Sequence, residues 1–245
     1  MNIVEPRVEL IAHTSLACNG RSPVIENYMS LDPDAGDMQQ LVEFAGRSCY
    51  ESWSKPNPAT AKNADYIART LHGRNHWSIG EHATATFYIT GVSRALTHEL
   101  VRHRHLSYSQ LSQRFVDESE ANIVIPPAAK KSEAEVVYDS EEFHDDLKGS
   151  LPKALEWWAG EAVWNYEDLV SALTGEGLPR KQAREAARAV LPNMIETKIV
   201  VTGNMRAWHE VIERRTAPDA DAEFQQVAGM IRDELKKIAP AIFTD

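Results

Sequence analysis

Apolar and polar residues alternate one by one along residues 82–90. Successive side chains of a β-strand point to opposite faces, so this alternation predicts a strand with one buried and one polar face. Residues 195–202 alternate in the same way, and we interpret residues 7–14 and 123–125 as further strands. Glycine weakens a strand, and we therefore expect Gly91 and Gly203 to end two of them.

Apolar residues recur at helical spacing in most of the remaining chain. This spacing predicts helices at residues 37–49, 92–102, 141–173, 179–191 and 206–214, a helix capped by Thr60, and a last helix that starts near Asp219. Residues 128–142 are charged and aperiodic, and we expect an exposed connection there. Trp157, Trp158 and Trp164 are expected to pack in the core or at an interface rather than to bind a nucleobase.

The order of these elements indicates the fold class. Strands and helices mix without the regular strand–helix–strand alternation of a parallel sheet, which favours an α+β fold. We expect a mixed sheet flanked by helices, with a long helical region in the second half. The chain has no internal repeat and no low-complexity linker, so residues 1–245 are interpreted as one catalytic domain.

Composition limits the class of protein further. The 245 residues are 43% hydrophobic, which is enough for a sizeable core. No stretch reaches the roughly 18 apolar residues of a membrane span, and the first residues lack the features of a secretory signal. We therefore expect a cytoplasmic protein without a membrane partner.

The two cysteines give no sign of a disulfide framework or a thiolate metal site. Cys49 continues a helical series with Leu41 and Ala45, so we interpret it as a small buried core residue rather than a catalytic thiol. No recognisable nucleophile motif surrounds Cys18 either.

The net charge of −10 provides no general attraction to nucleic acid. A small phosphorylated ligand needs only a local basic pocket, and the arginines are unevenly distributed. Residues 94–115 carry four arginines and three histidines against one acid. Arginine binds phosphate through a planar fork of donors, but a basic helix end in solvent would have the same composition. His98 and His103 are five residues apart, which does not fit two zinc ligands on one helical face, and no metal site is predicted.

Three further clusters have both a functional and a structural interpretation. Arg180, Arg184 and Arg188 share one face of a helix, which is either a binding face or a charged outer surface. Asn204, Arg206, Arg214 and Arg215 follow a strand, where loop residues are well placed for binding. Residues 76–82 contain His76 and Glu81 directly before a strand, where ordinary turn residues are the alternative.

Together these segments resemble the flavin-dependent thymidylate synthase family. The run Arg102-His103-Arg104, followed by Ser107 and by Gln110-Leu111-Ser112-Gln113-Arg114, is similar to the family signature. Residues 76–82, the segment from Arg188 to Pro192, and Asn204-Met205-Arg206 resemble its other elements in the same order. The resemblance covers nearly the whole chain.

The resemblance implies an enzyme that methylates dUMP to dTMP. The carbon would come from 5,10-methylenetetrahydrofolate, and FAD reduced by NADPH would supply the hydride. The family also implies a homotetramer with sites shared between subunits. The chemistry is the cofactor's, which agrees with a chain that lacks a convincing catalytic cysteine.

The family's residues carry over by position. Implied contacts to FAD are Ser78, Arg102, His103, Arg104, Gln110, Asn204 and Arg206, with His76 and Glu81 near the flavin. Implied contacts to dUMP are Glu99, Leu100, Val101, Arg102, Gln110, Leu111, Ser112, Gln113, Arg114, Arg188 and Arg215. Arg215 is the implied catalytic residue, because its charge would stabilise the ionised uracil.

One position departs from the family pattern. Asp219 stands where the family usually has a histidine that contacts FAD, and we expect it to cap the last helix instead. Two other functions would also need the arginine clusters. They are a flavoprotein that catalyses another reduction and a non-catalytic nucleotide-binding regulator.

Overall fold

The computed structural model describes residues 1–17, 32, 35–53, 62–139 and 147–244. Its centre is a four-stranded sheet with the strand order β1-β2-β6-β3. The strands are β1 (Arg7–His13), β2 (Thr84–Ser93), β3 (Leu106–Gln110) and β6 (Glu196–Asn204). A separate two-stranded hairpin consists of β4 (Glu135–Asp139) and β5 (Leu147–Ser150).

Helices surround this sheet. They are α1 (Asp37–Tyr50), α2 (Asn63–Ile67), α3 (Arg94–Leu100), α4 (Pro127–Lys130), α5 (Leu151–Gly175), α6 (Arg180–Ala187), α7 (Met205–Arg215) and α8 (Ala222–Ile238). One π-helical turn (Ala68–Gly73) continues α2, and a 3₁₀ turn (Trp77–His82) leads into β2. Among the helices described, none is long and apolar enough to cross a bilayer.

The α+β class is confirmed, but the expectation of a mixed sheet is wrong. All three strand contacts in the central sheet are antiparallel. Between β2 and β6, Thr84 lies opposite Asn204 and Ser93 opposite Glu196, so the two strands enter from opposite ends. Alternation in the sequence indicates which face a side chain takes and not the direction of the neighbouring strand.

The two glycines expected to end strands lie inside them. Gly91 has a positive φ of 65° at a bulge in β2, and its N–H donates to the Glu196 carboxylate at 2.9 Å. A Cβ at Gly91 would overlap the Glu5 carbonyl, which explains why a glycine is needed. A Cβ at Gly203 would collide with Leu106 on β3. Glycine here permits close approach of two strands.

Cys49 is exposed, so the interpretation of a buried core thiol is wrong. The buried face of α1 instead includes Met38 and Val42, together with the charged pair Glu43 and Arg47. That pair is 2.6 Å apart. Because α1 buries an ion pair, the pattern of apolar residues alone does not identify its inner face. Cys18 and Thr60 lie outside the described residues.

Helix α5 begins at Leu151, ten residues later than expected, although residues 140–146 lie outside the described part. The expected connection at residues 128–142 contains α4 and the hairpin strand β4. Trp158 is 42% and Trp164 57% exposed, so core packing is wrong for both. Interface packing of these two side chains stays a prediction.

The main core lies between the central sheet and helices α1, α7 and α8. Phe87 and Ile89 of β2 contribute from the sheet, and Trp208 and Phe224 contribute from α7 and α8. The indole of Trp208 meets the Phe87 ring edge to face, and its N–H donates to the Ala85 carbonyl at 3.1 Å. This packing fixes α7 across the sheet, and the candidate site lies along that helix.

Candidate functional site

Three adjoining cavities follow α7 along its exposed side. Their volumes are about 400, 410 and 190 Å³, and Glu210 contributes to the lining of all three. Arg206 is shared by the second and third cavities, and His105 by the first and third. The cavities therefore form one groove, which is large enough to extend along an elongated ligand.

The first cavity is strongly basic. Four arginines and two histidines line it with two carboxylates, namely Arg102, Arg104, Arg214, Arg215, His103, His105, Glu99 and Glu210. The basic residues come from the loop after α3 and from the last turn of α7. Tyr108 on β3 secures this loop, because its hydroxyl lies 2.7 Å from the carbonyls of both Leu100 and His103. Burial raises the pKa of Tyr108 to about 12, so the hydroxyl remains a donor at neutral pH.

Arg215 is held by contacts at all three of its nitrogens. Its Nε donates to His103 Nε2 at 3.1 Å, its Nη1 lies 3.2 Å from the Glu99 carboxylate, and its Nη2 donates to the Glu99 carbonyl at 3.4 Å. The guanidinium also lies over the Phe224 ring, 4.8 Å from its centroid. The side chain is 19% exposed. Two of its five N–H donors remain for a ligand.

His103 is held in its neutral form. Burial lowers its pKa, and the nearby charges of Arg215 and Arg214 lower it further. A neutral imidazole has one acceptor nitrogen, and Nε2 takes that role by accepting from Arg215. The proton therefore resides on Nδ1. His103 orients the arginine without adding a charge that would repel it.

The segments around Glu81 and Asn204 come together at the start of α7. Arg206 donates to the Glu81 carboxylate at 2.6 Å. Asn204 is the N-cap of α7, since its side-chain oxygen accepts from the Ala207 N–H at 2.8 Å. Asn204, Glu81 and Arg206 all line the third cavity.

The second cavity is lined by three expected candidates and by residues that were not predicted. His76, Ser78 and Arg206 line it as expected candidates. The imidazole of His209 stacks on Trp77 at 3.7 Å between ring centroids, and Glu213 lies 3.4 Å from His209. Burial lowers the pKa of His209. The helical spacing of Arg206, Glu210 and Glu213 could have indicated this face.

A separate cavity of about 300 Å³ contains two of the other expected nucleotide residues. Gln113 and Arg188 line it, together with Arg94 and His98, which were not among the candidates. Arg188 follows α6 in a short 3₁₀ turn (Arg188–Val190). Arg180, Arg184 and Arg188 do not act as one face, because Arg184 donates to the Phe115 carbonyl and pairs with Asp117.

The remaining nucleotide candidates lie at the end of β3 and in the segment that follows it. The Gln110 amide donates to the hydroxyls of Thr97 and Thr197, and the Leu111 N–H donates to the Lys198 carbonyl at 2.8 Å. Arg114 pairs with Glu185 at 2.7 Å, and the Ser112 hydroxyl accepts from the Arg114 N–H at 3.4 Å. These contacts fix the end of β3 and the segment that follows it.

Two candidates differ from expectation in their surroundings. Leu100 is fully buried in the core, so its side chain does not face any of these cavities, whereas Val101 is 45% exposed. Asp219 does not cap α8. Asp221 does so, by accepting from the N–H groups of Glu223 and Phe224. Asp219 is exposed in the turn between α7 and α8.

Comparison with known proteins decides the family. A model of the family described as thymidylate synthase complementing protein matches residues 32–241. The chain belongs to this family. It is 47% identical to the flavin-dependent thymidylate synthase of Mycobacteroides abscessus, over 99% of this chain and 90% of the relative. It is 45% identical to that of Mycobacterium tuberculosis, over 98% and 89%. The resemblance to flavin-dependent thymidylate synthases is thereby confirmed.

A solved structure supports the fold. The UMP/dUMP methylase PolB from Streptomyces cacaoi, whose crystal structure contains 5-Br dUMP, superimposes with a TM-score of 0.67. The match covers 98% of this chain and 94% of that one, at 20% identity. At this identity the likeness shows the fold alone.

Proposed function

We propose that this protein is a flavin-dependent thymidylate synthase that converts dUMP to dTMP. The observation that carries the proposal is Arg215, which His103 and Glu99 hold in a basic cavity, in a chain of this family. The carbon donor is 5,10-methylenetetrahydrofolate, and the electrons come from NADPH through FAD. The enzyme is a methyltransferase.

The groove along α7 suits a flavin dinucleotide. A diphosphate needs fixed cations and N–H donors, and Arg102, Arg104 and Arg206 supply them at the surface of the groove. His103, Gln110 and Asn204 complete the proposed contacts, with His76 and Ser78 from the second cavity and Glu81 from the third. When bound, FAD supplies the hydride, and the protein provides its orientation and charge environment.

Arg215 activates the nucleotide in this proposal. Its two remaining N–H groups donate to a uracil carbonyl oxygen, where negative charge develops as C5 becomes nucleophilic. Glu99 and neutral His103 hold the guanidinium in one orientation before the substrate arrives, so little reorganisation is needed during the reaction. Phe224 covers its other face and limits water.

The division of the nucleotide candidates between two cavities supports a shared site. Arg215 lines the first cavity, while Gln113 and Arg188 line another. We propose a homotetramer, in which the cavity of Gln113 and Arg188 from one subunit completes the groove of a second. Each chain forms one catalytic domain in this assembly. Asp219 replaces the family's flavin-contacting histidine, and its exposure leaves it free to turn away from the diphosphate.

Release of tritium from C5-labelled dUMP tests the proposal. We expect tritium release only when FAD-loaded protein and NADPH are both present. We expect dTMP to form only when methylenetetrahydrofolate is added as well. A flavoprotein with another reductive activity would oxidise NADPH without forming dTMP. A nucleotide-binding regulator would bind dUMP without releasing tritium, and either result would contradict the assignment.

A further inference from the structure

Tyr108 holds the end of α3 from the side of the sheet. It lies on the edge strand β3, and its ring packs against the main core. Its hydroxyl donates to the Leu100 and His103 carbonyls, each at 2.7 Å. A hydroxyl has one proton, so the two carbonyls share it. Because the core fixes the ring, the hydroxyl ties both ends of the turn at residues 100–103 to the sheet.

The two carbonyls depend on this hydroxyl to different degrees. The last carbonyls of a helix have no partner within the helix, and that of Leu100 also accepts from the His103 N–H at 3.1 Å. In the part of the chain that the structure describes, no second donor to the His103 carbonyl is found. Without the Tyr108 hydroxyl, this carbonyl would have to turn towards water. The turn at residues 100–103 would then lose its fixed shape.

The turn carries the basic side chains of the groove. Residues 102–104 line the first cavity, whereas Tyr108 lines none of the four cavities described above. From the other side, Arg215 donates to the Glu99 carbonyl at 3.4 Å and to His103 Nε2 at 3.1 Å. The turn is therefore held between the sheet and α7. Because Tyr108 acts on the backbone, it sets the positions of all three side chains together.

We propose that Tyr108 is a positioning residue of the flavin site, whose hydroxyl fixes the turn at residues 100–103 so that Arg102, His103 and Arg104 face the groove together. This inference rests on the proposed binding of FAD. A ligand that binds only the ordered turn has an apparent affinity proportional to the fraction of protein in which the turn is ordered. Tyr108 raises that fraction without touching the ligand.

Tyr108→Phe tests the inference, because it removes one oxygen atom and keeps the ring that packs against the core. One such hydrogen bond corresponds to a factor of about ten in an equilibrium. We expect the backbone amides of residues 101–105 to exchange hydrogen for deuterium about tenfold faster in the FAD-free variant, since exchange follows the local opening equilibrium. The Kd for FAD, measured by equilibrium dialysis, should rise by up to about tenfold. Saturating FAD should restore slow exchange, because it binds the ordered turn.

Tyr166→Phe is the matched control. Tyr166 is a fully buried tyrosine on α5, and its hydroxyl accepts from the Glu118 N–H at 3.5 Å. Its replacement also removes a hydrogen-bonded hydroxyl, so it controls for a general loss of stability. Exchange at residues 101–105 and the Kd for FAD should both equal those of the wild type.

The outcomes separate the inference from the proposed function. If the wild type binds no FAD, the proposed function fails. If it binds FAD and Tyr108→Phe has the same Kd, Tyr108 has no positioning role, whether or not exchange becomes faster. The wild type alone gives a further test, because FAD should slow exchange at residues 101–105 if the ordered turn and the flavin favour each other. Exchange that FAD leaves unchanged contradicts the inference even if Tyr108→Phe does not fold.

Discussion

Arg215→Lys separates a catalytic from a structural role of the arginine. The wild-type guanidinium makes three contacts through different nitrogens, to His103 Nε2, the Glu99 carboxylate and the Glu99 carbonyl. Lysine keeps the charge but has a single nitrogen on a flexible stem. It can retain the Glu99 ion pair, and it loses the fork that orients the remaining donors.

The structure sets the size of both effects. Loss of two hydrogen bonds at about 1 kcal/mol each predicts a loss of about 2 kcal/mol in the free energy of unfolding. For a chain of this length, that lowers Tm by about 4–8 °C. Loss of one donor to a developing anion should reduce turnover by about 10²- to 10³-fold, which is about 2.7–4 kcal/mol in the barrier.

The assay is dTMP formation at saturating dUMP and methylenetetrahydrofolate, alongside flavin absorbance and thermal unfolding. We expect turnover to fall while flavin content stays normal. Arg232→Lys, on the exposed side of α8, is the control and should change neither turnover nor Tm. A variant with lowered Tm and near-normal turnover would show that Arg215 only attaches α7 to the loop after α3.

Three further predictions follow from the proposed function and the fold. Replacing Arg102 and Arg104 together by alanine should remove most of the yellow flavin absorbance while circular dichroism stays unchanged, and equilibrium dialysis that finds no FAD on the wild type would contradict the flavin site. Cys18→Ser and Cys49→Ser should retain methylation activity, and since Cys49 is exposed its variant should keep the wild-type Tm; a covalent uracil adduct on either thiol would contradict this mechanism. Light scattering should report a homotetramer, and a fully active monomer would exclude a site shared between subunits.

Local patterns predicted much of the fold because they depend on neighbouring residues. The alternation at residues 82–90 corresponds to β2, and the helix predicted at 206–214 corresponds to α7. The family resemblance also implied that Glu81 and Arg206 both lie near the flavin, and they form an ion pair at 2.6 Å. These features needed only periodicity and the family resemblance.

Features that depend on distant packing could not be predicted in this way. The exposure of Cys49 follows from the burial of Glu43 and Arg47, which Asn63 completes by donating to Glu43 at 2.7 Å. The position of Gly91 inside β2 follows from its closeness to Glu5, about 85 residues earlier in the chain. The burial of Glu118 had no sequence signal, because it depends on the packing of elements that are distant in the chain.

Three arginines around these cavities share one arrangement, in which a carboxylate pairs with the cation. Arg215 pairs with Glu99, Arg206 with Glu81 and Arg114 with Glu185, all at carboxylates that are 40–47% exposed. Such exposed pairs contribute at most about 1 kcal/mol, so a phosphate can replace the carboxylate at little cost. A chain with a net charge of −10 can thus hold these arginines on carboxylates and still exchange the carboxylates for an anionic substrate.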